Sequence, residues 1–148
     1  MTSAPVGSSN QGARALSLKI PGQAEYIGIA RLAVSGLANQ LDIPYDEAED
    51  LKLAVTEACS HLLRSAASRV DLLVECRFAP DNLEIQVKSA PQGGDPLPVP
   101  GWSAASGDWD PELEIHLLEA LMDRVAMETD DKTGAMAVSM ARRLQGGV

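Results

Sequence analysis

Aromatic and basic residues are scarce in this chain, and their scarcity excludes a class of function. Aromatic residues make up 3% of the 148 residues, and 12 lysines and arginines stand against 21 aspartates and glutamates. The formal net charge of −9 repels phosphate, and few rings are present on which bases could stack. We therefore expect no direct nucleic-acid binding, whereas the charge is compatible with steering toward a basic surface on a protein partner.

Long apolar runs and paired cysteines are also missing. Charged residues interrupt every apolar stretch before the roughly 18 residues that a membrane-spanning helix needs, and the first residues lack a basic region followed by an apolar core. We therefore expect neither a membrane span nor a secretory signal, and a cytoplasmic location. Cys59 and Cys76 have no metal-binding spacing, so we expect two buried thiols and no disulfide.

Composition divides the chain into a tail and one domain. Residues 1–13 contain serines and glycines and almost no bulky apolar side chains, so they cannot offset the entropy that ordering them would cost. We expect a flexible tail at 1–13 and a single domain over 14–145. Prolines, glycines and both tryptophans, Trp102 and Trp109, occur within residues 89–110, which predict a long loop.

Two hydrophobic periods, two residues for strands and 3.6 for helices, predict the elements of the domain. Asp46 and Glu49 have the spacing of a capping box at the start of the second helix. The order of elements predicts an α+β fold, a two-layer α/β sandwich with helices on one face of a mixed sheet. The expected elements are a strand at 15–20, helices at 24–41 and 46–66, a hairpin of 70–78 with 83–87, a helix from 111, and a hairpin of 125–129 with 136–140.

Three stretches of the chain resemble one bacterial family. They are IPGQAEYIGIARL at 20–32, YDEAEDLKLAVTEAC at 45–59 and LEALMDRV at 118–125. Together they closely resemble the RsbW and SpoIIAB type of anti-sigma factor, and the likeness extends from about residue 16 to residue 144. The resemblance implies the Bergerat fold of the GHKL ATPases and histidine kinases. It also implies a protein that holds a sigma factor inactive and uses ATP and magnesium to phosphorylate a serine of a STAS-type antagonist.

The first two nucleotide-binding motifs of that family are altered here. Glu57 stands at the family's glutamate position, but His61 replaces the asparagine that binds magnesium, and neutral imidazole is a poor substitute for a hard oxygen ligand. Ser89 replaces the aspartate that recognises adenine, and Pro91 replaces the first glycine of the same motif. Proline removes an N–H donor and fixes φ. Glu57, His61 and Ser89 are thus degenerate cofactor-binding positions.

The third motif of the family is a glycine-rich turn whose N–H groups hold phosphates. Here it is replaced by Asp110-Pro111-Glu112-Leu113-Glu114. Asp110 would cap the free amides of the helix, and Pro111 removes one of them. Glu112 and Glu114 put negative charge where a triphosphate would arrive, at a cost on the order of a few kcal/mol.

The first predicted helix has a polar stripe at Arg31, Ser35 and Asn39, which recur every four residues. By position, Arg31 matches an arginine that family members use to hold the sigma factor. The resemblance therefore implies that Arg31 binds a protein partner, and Ser35 and Asn39 share its face.

The second predicted helix has a similar group at Glu57, His61 and Arg64. These residues could be a remnant catalytic site, but an ordinary polar helix face with charge pairing is the simpler interpretation. A zinc site is not expected, because it would need more ligands and His116, the other histidine, lies on a separate helix.

The sequence leaves alternative functions open. It favours an anti-sigma factor that sequesters a sigma factor, or a related regulator, by binding alone, with no metal, nucleotide or catalytic residue. The alternative is an ATP- and magnesium-dependent serine kinase in which Glu57 orients the attacking hydroxyl and His61 holds the metal or its water. A scaffold that binds the STAS-type antagonist is a third hypothesis. Two copies could also pair through the small side chains of Ala135, Ala137, Ser139 and Ala141.

Overall fold

The structure of the chain is a computed structural model that describes the predicted domain in four stretches. The predicted tail, Trp102 and Trp109 lie outside the described residues. At Pro91 and residues 111–114 only the main chain is described. The described stretches are 14–66, 69–91, 111–129 and 135–144.

The helices and strands follow the predicted order. A short 3₁₀ turn at Ala24–Tyr26 precedes the first α-helix. The third strand continues to Pro91, so residues 89–91, which the sequence predicts to be loop, lie within a strand. The elements are β1 (Arg14–Pro21), α1 (Ile27–Gln40), α2 (Tyr45–Ser65), β2 (Val70–Ala79), β3 (Asn82–Pro91), α3 (Pro111–Leu121), β4 (Arg124–Thr129) and β5 (Met136–Arg143).

The five strands form one sheet in the order β1-β2-β3-β5-β4. The order of elements predicts a mixed sheet, whereas every neighbouring pair of these strands is antiparallel. The helices α1 and α2 connect β1 to β2. Because α1 leads away from the end of β1 and α2 leads back to it, β2 starts at the end of the sheet where β1 stops and runs antiparallel to β1. The strands β3 and β4, which are separated in the chain by α3, run parallel to each other. They do not pair, because β5 lies between them in the sheet.

The core lies between the sheet and the helices, as the two-layer prediction requires. Alternate strand residues, such as Leu72, Val74 and Val87, are buried on the face that carries the helices. Cys59 on α2 and Cys76 on β2 are free thiols in this core, which confirms the prediction of buried, unpaired cysteines. Burial raises the pKa of Cys59 to about 12 and that of Cys76 to about 11.

The connection between α1 and α2 shows how each helix ends. Asp42 adopts a left-handed conformation (φ 57°), and the N–H of Ile43 donates to the carbonyl of Ala38 at 3.0 Å, which is a Schellman ending of α1. Pro44 occupies the N-cap of α2, and no side chain caps it. The predicted capping box is therefore wrong, because the helix begins one residue earlier and Asp46 lies inside its first turn.

Within the described stretches, no helix combines the length and the apolar character that crossing a membrane would require.

Candidate functional site

The predicted nucleotide-site residues lie toward one end of the sheet. Val70 pairs with Pro91, so β2 begins where β3 ends. Ser89 lies near that end of β3, and Glu57 and His61 lie in the second half of α2, which runs toward the same end and packs on β3. We call the region defined by Glu57, His61 and Ser89 the candidate cleft.

His61 is part of the core of the domain. Only 4% of its surface is exposed, whereas Glu57 is half-buried and Arg64 is exposed. Glu57, His61 and Arg64 therefore do not form one equally exposed helix face, because His61 is buried. The reason is that α2 packs against α1, α3 and the sheet, so its buried arc is wider than the apolar seam alone and includes His61.

Ser89 uses its hydroxyl group inside the protein. It is 8% exposed, its Oγ accepts a hydrogen bond from the N–H of Met136 at 3.0 Å, and it donates to the carbonyl oxygen of Met136 at 3.4 Å. The contact continues the β3–β5 ladder one step beyond the pair of Lys88 and Ala137. A hydroxyl has one hydrogen to donate and two lone pairs that can accept. Met136 uses the hydrogen and one lone pair, so only one acceptor lone pair of Ser89 is left for any ligand.

Gly22 has a steric role that the sequence analysis missed. A Cβ at this position would lie 2.0 Å from the carbonyl oxygen of Val70, so only glycine lets the chain after β1 pass this close to the start of β2. Its position directly after Pro21 at the end of a predicted strand was the available signal. Gly22 therefore fixes the end of β1 beside the candidate cleft.

The outer side of α1 carries the residues predicted to bind a partner. Arg31 and Asn39 are exposed and Ser35 is half-buried, so the predicted polar stripe lies at the surface. Sequence reasoning missed Ile29 and Leu32 on the same helix, which are 46% and 72% exposed. The helical period gives the signal, since Leu32 lies about 160° around the helix from the buried Ala30 and Val34.

The sheet face opposite the helices contains an open trough of about 420 Å³. Arg77, Arg124 and Ala141 contribute to its lining, and Gln86 Nε2 donates to Ser139 Oγ at 2.9 Å in its floor. Of the small residues predicted to pair two copies, Ser139 and Ala141 line this trough, and the role of the set in a dimer stays a prediction.

Comparison with known proteins gives the family. A sequence profile described as the histidine kinase-like ATPase domain matches residues 20–142. The chain belongs to this family. The match confirms the family resemblance and the Bergerat-type fold that the sequence predicts.

Within the histidine kinase-like ATPase family, this chain is similar to serine-protein kinases named RsbW. It is 34% identical to that of Bacillus licheniformis over 143 residues, which cover 87% of this chain and 85% of the relative. It is 33% identical to that of Bacillus subtilis strain 168 over 144 residues, covering 88% and 86%. The chain is therefore of the RsbW type.

The fold has also been solved in a distant relative. A crystal structure of the RsbU and RsbW domains of a Mycobacterium tuberculosis protein superposes on 88% of this chain with a TM-score of 0.65 and 12% sequence identity. This chain covers 32% of that longer chain. The likeness supports the fold alone.

The described residues of this RsbW-type chain do not fit the magnesium–ATP group that the family resemblance implies. A buried imidazole stands where a hard oxygen ligand is needed, and the Ser89 hydroxyl is bonded to Met136 where a free carboxylate is needed. In the part of the chain that the structure describes, no group of three or more His, Cys, Asp or Glu residues could hold a metal ion. Asp110 and the side chains of Glu112 and Glu114 lie outside the described residues, so the predicted charge at the phosphate turn stays a prediction.

Proposed function

We propose that this RsbW-type chain is an anti-sigma factor that sequesters a sigma factor by protein–protein binding, without ATP binding or kinase activity. The observation that carries the proposal is the contrast between two surfaces. Arg31 and Asn39 of the predicted partner-binding stripe on α1 are exposed, whereas the Ser89 hydroxyl in the candidate cleft is hydrogen-bonded to the main chain of Met136.

The α1 side of the proposal depends on Arg31. It is exposed and it is the single charged residue of α1. A guanidinium in this setting can form a bidentate pair with a carboxylate of the partner. Ser35 and Asn39, one and two turns along the helix, add hydrogen-bonding groups to the same surface.

The cleft side of the proposal depends on Ser89 and His61. Ser89 has no carboxylate that could bind a nucleotide. His61 is buried between α2 and the elements that pack against it. If the chain does not bind ATP, release of the sigma factor cannot depend on ATP binding or on transfer of its phosphate. A STAS-type antagonist that competes for α1 is the release mechanism that this arrangement supports.

The test is calorimetric titration of the purified chain with each purified sigma factor and each STAS-type protein encoded in the same genome. We expect one sigma factor to bind, with an affinity that changes less than about twofold when millimolar MgATP is added. Arg31→Glu should weaken that affinity at least tenfold, since it reverses the charge that faces the partner.

Two results would overturn the proposal. If no sigma factor binds, sequestration is wrong. If labelled phosphate passes from ATP to a serine of a STAS-type protein, and Glu57→Ala abolishes the transfer, the chain is a serine kinase instead.

A further inference from the structure

The outer face of α1 has a protruding leucine at its centre. Leu32 is 72% exposed, more than any other large aliphatic side chain in the described stretches, and Ile29 beside it is 46% exposed. One turn before and one turn after Leu32 are Gly28 and Gly36. We call the row Gly28, Leu32 and Gly36 the α1 ridge.

The fold itself does not require glycine at either end of the ridge. A Cβ built at Gly28 or at Gly36 meets nothing within 4 Å, and neither residue has a positive φ. Glycine is the least favourable residue in a helix interior apart from proline. Gly36, in the interior of α1, therefore lowers the stability of the helix, and Gly36 together with Gly28 in the first turn leaves main chain without side chains on both sides of Leu32.

The charge on α1 restricts what can cover the ridge. Arg31 is the helix's single charged residue, and it forms no ion pair with another described residue. A single cation beside an apolar side chain fits a protein surface with an apolar groove and a carboxylate at its rim. A second copy of this chain fits less well, because it also carries a charge of −9 and its α1 offers no carboxylate to Arg31.

We infer that Leu32 is the apolar anchor by which this chain docks on its sigma factor. Leu32 inserts into an apolar groove of the partner, Arg31 pairs with a carboxylate at the rim, and Gly28 and Gly36 let the two backbones approach closely. The inference rests on the proposed function and adds to it a specificity-determining residue outside the polar stripe. Protein interfaces commonly have an apolar core that is surrounded by a polar rim, which is the arrangement inferred for Leu32 and Arg31.

The test titrates the sigma factor that binds the wild-type chain into four variants. Leu32→Ala should weaken binding about tenfold and Leu32→Asp at least a hundredfold, with melting midpoints close to wild type because the side chain is in solvent. Gly36→Gln should also weaken binding at least tenfold while raising the melting midpoint. This combination separates loss of docking from damage to the helix.

Leu117→Asp is the matched control. Leu117 is 36% exposed and lies on α3, which packs against α2 and β4. Its substitution should change the affinity less than about threefold. Any general effect of a new surface aspartate would appear in this variant too.

The outcomes distinguish the inference from the proposed function. If the wild-type chain binds a sigma factor and Leu32→Asp binds it equally well, the inference is overturned and the proposed function stands. If Leu32→Asp converts a dimeric free chain into a monomer, a second copy covers the ridge and the inference is wrong. If the wild-type chain binds no sigma factor, the proposed function fails and the inference falls with it.

Discussion

Replacing Ser89 by alanine tests the contact that separates this chain from the nucleotide-binding pattern of its family. The substitution removes an oxygen that accepts from Met136 N–H at 3.0 Å and donates to Met136 carbonyl oxygen at 3.4 Å. It leaves the β-carbon in place, so packing changes little. The N–H and the carbonyl group of Met136 then lose the Ser89 hydroxyl as a hydrogen-bond partner, and Ser89 is a buried residue, where water cannot easily replace it.

The expected loss follows from the two distances. The 3.0 Å bond has an ordinary length and contributes about 1 kcal/mol, whereas the 3.4 Å bond is long and contributes about half of that. We expect Ser89→Ala to lower the free energy of unfolding by about 1.5 kcal/mol. For a domain of this size, that is a fall in melting midpoint of about 3–6 °C.

Ser65→Ala is the matched control. The Ser65 hydroxyl donates to the carbonyl of His61 one turn back in α2 at 2.9 Å. Such a bond to a helix carbonyl that already has a partner adds little stability, and alanine is the better helix former. We expect Ser65→Ala to change the free energy of unfolding by less than about 0.5 kcal/mol.

Urea unfolding of the wild-type chain and both variants is the assay, with millimolar MgATP present or absent. If Ser89→Ala is as stable as the wild-type chain, the hydroxyl does not join β3 to β5. If MgATP stabilises the wild-type chain, the hydroxyl is available to a ligand. Either result would refute the account of the candidate cleft.

Three further predictions concern α1, the glycine beside the sheet and the thiols. Gly36→Ala should raise the free energy of unfolding by about 0.5–1 kcal/mol in urea titrations, because the position is helical and open; an unchanged or lower value would contradict this. Gly22→Ala should lower the free energy of unfolding by more than about 2 kcal/mol, because its Cβ would overlap the carbonyl of Val70; a melting midpoint equal to wild type would show that the chain can shift there at no cost. The pKa values of Cys59 and Cys76 are raised from 9.0 to about 12 and about 11, so the unfolded chain loses these protons first as pH rises. The stability that the neutral thiols contribute is full below pH 9 and is lost as pH rises through 9 to 12, and thiol titration at pH 8 should label both only after urea is added.

Local patterns predicted the elements well because each one carries its own periodicity. The alternation of Val70, Leu72 and Val74 on one face of β2, and the spacing of Leu51 and Val55 on α2, depend only on which side of an element is buried. The structure confirms these elements and their order. Where the periodicity is strong, the boundaries agree within a few residues.

The rest depended on neighbours that local patterns do not contain. His61 is polar and is spaced with Glu57, but the packing of α2 on three sides buries it. The direction of strand pairing depends on β5 lying between β3 and β4. The partner of the Ser89 hydroxyl, Met136, is 47 residues away in sequence. No spacing rule connects such residues.

The position of β5 in the sheet also affects how the protein is made. A ribosome completes β3 and β4 before β5, yet β5 is the strand that separates them. Until β5 has emerged, β3 has an open edge of unpaired main-chain groups and β4 has no neighbour to pair with among the described strands. Open edges of this kind recruit other chains. An incomplete chain that lacks β5 is therefore prone to aggregation, and β5 closes the gap in the sheet between β3 and β4.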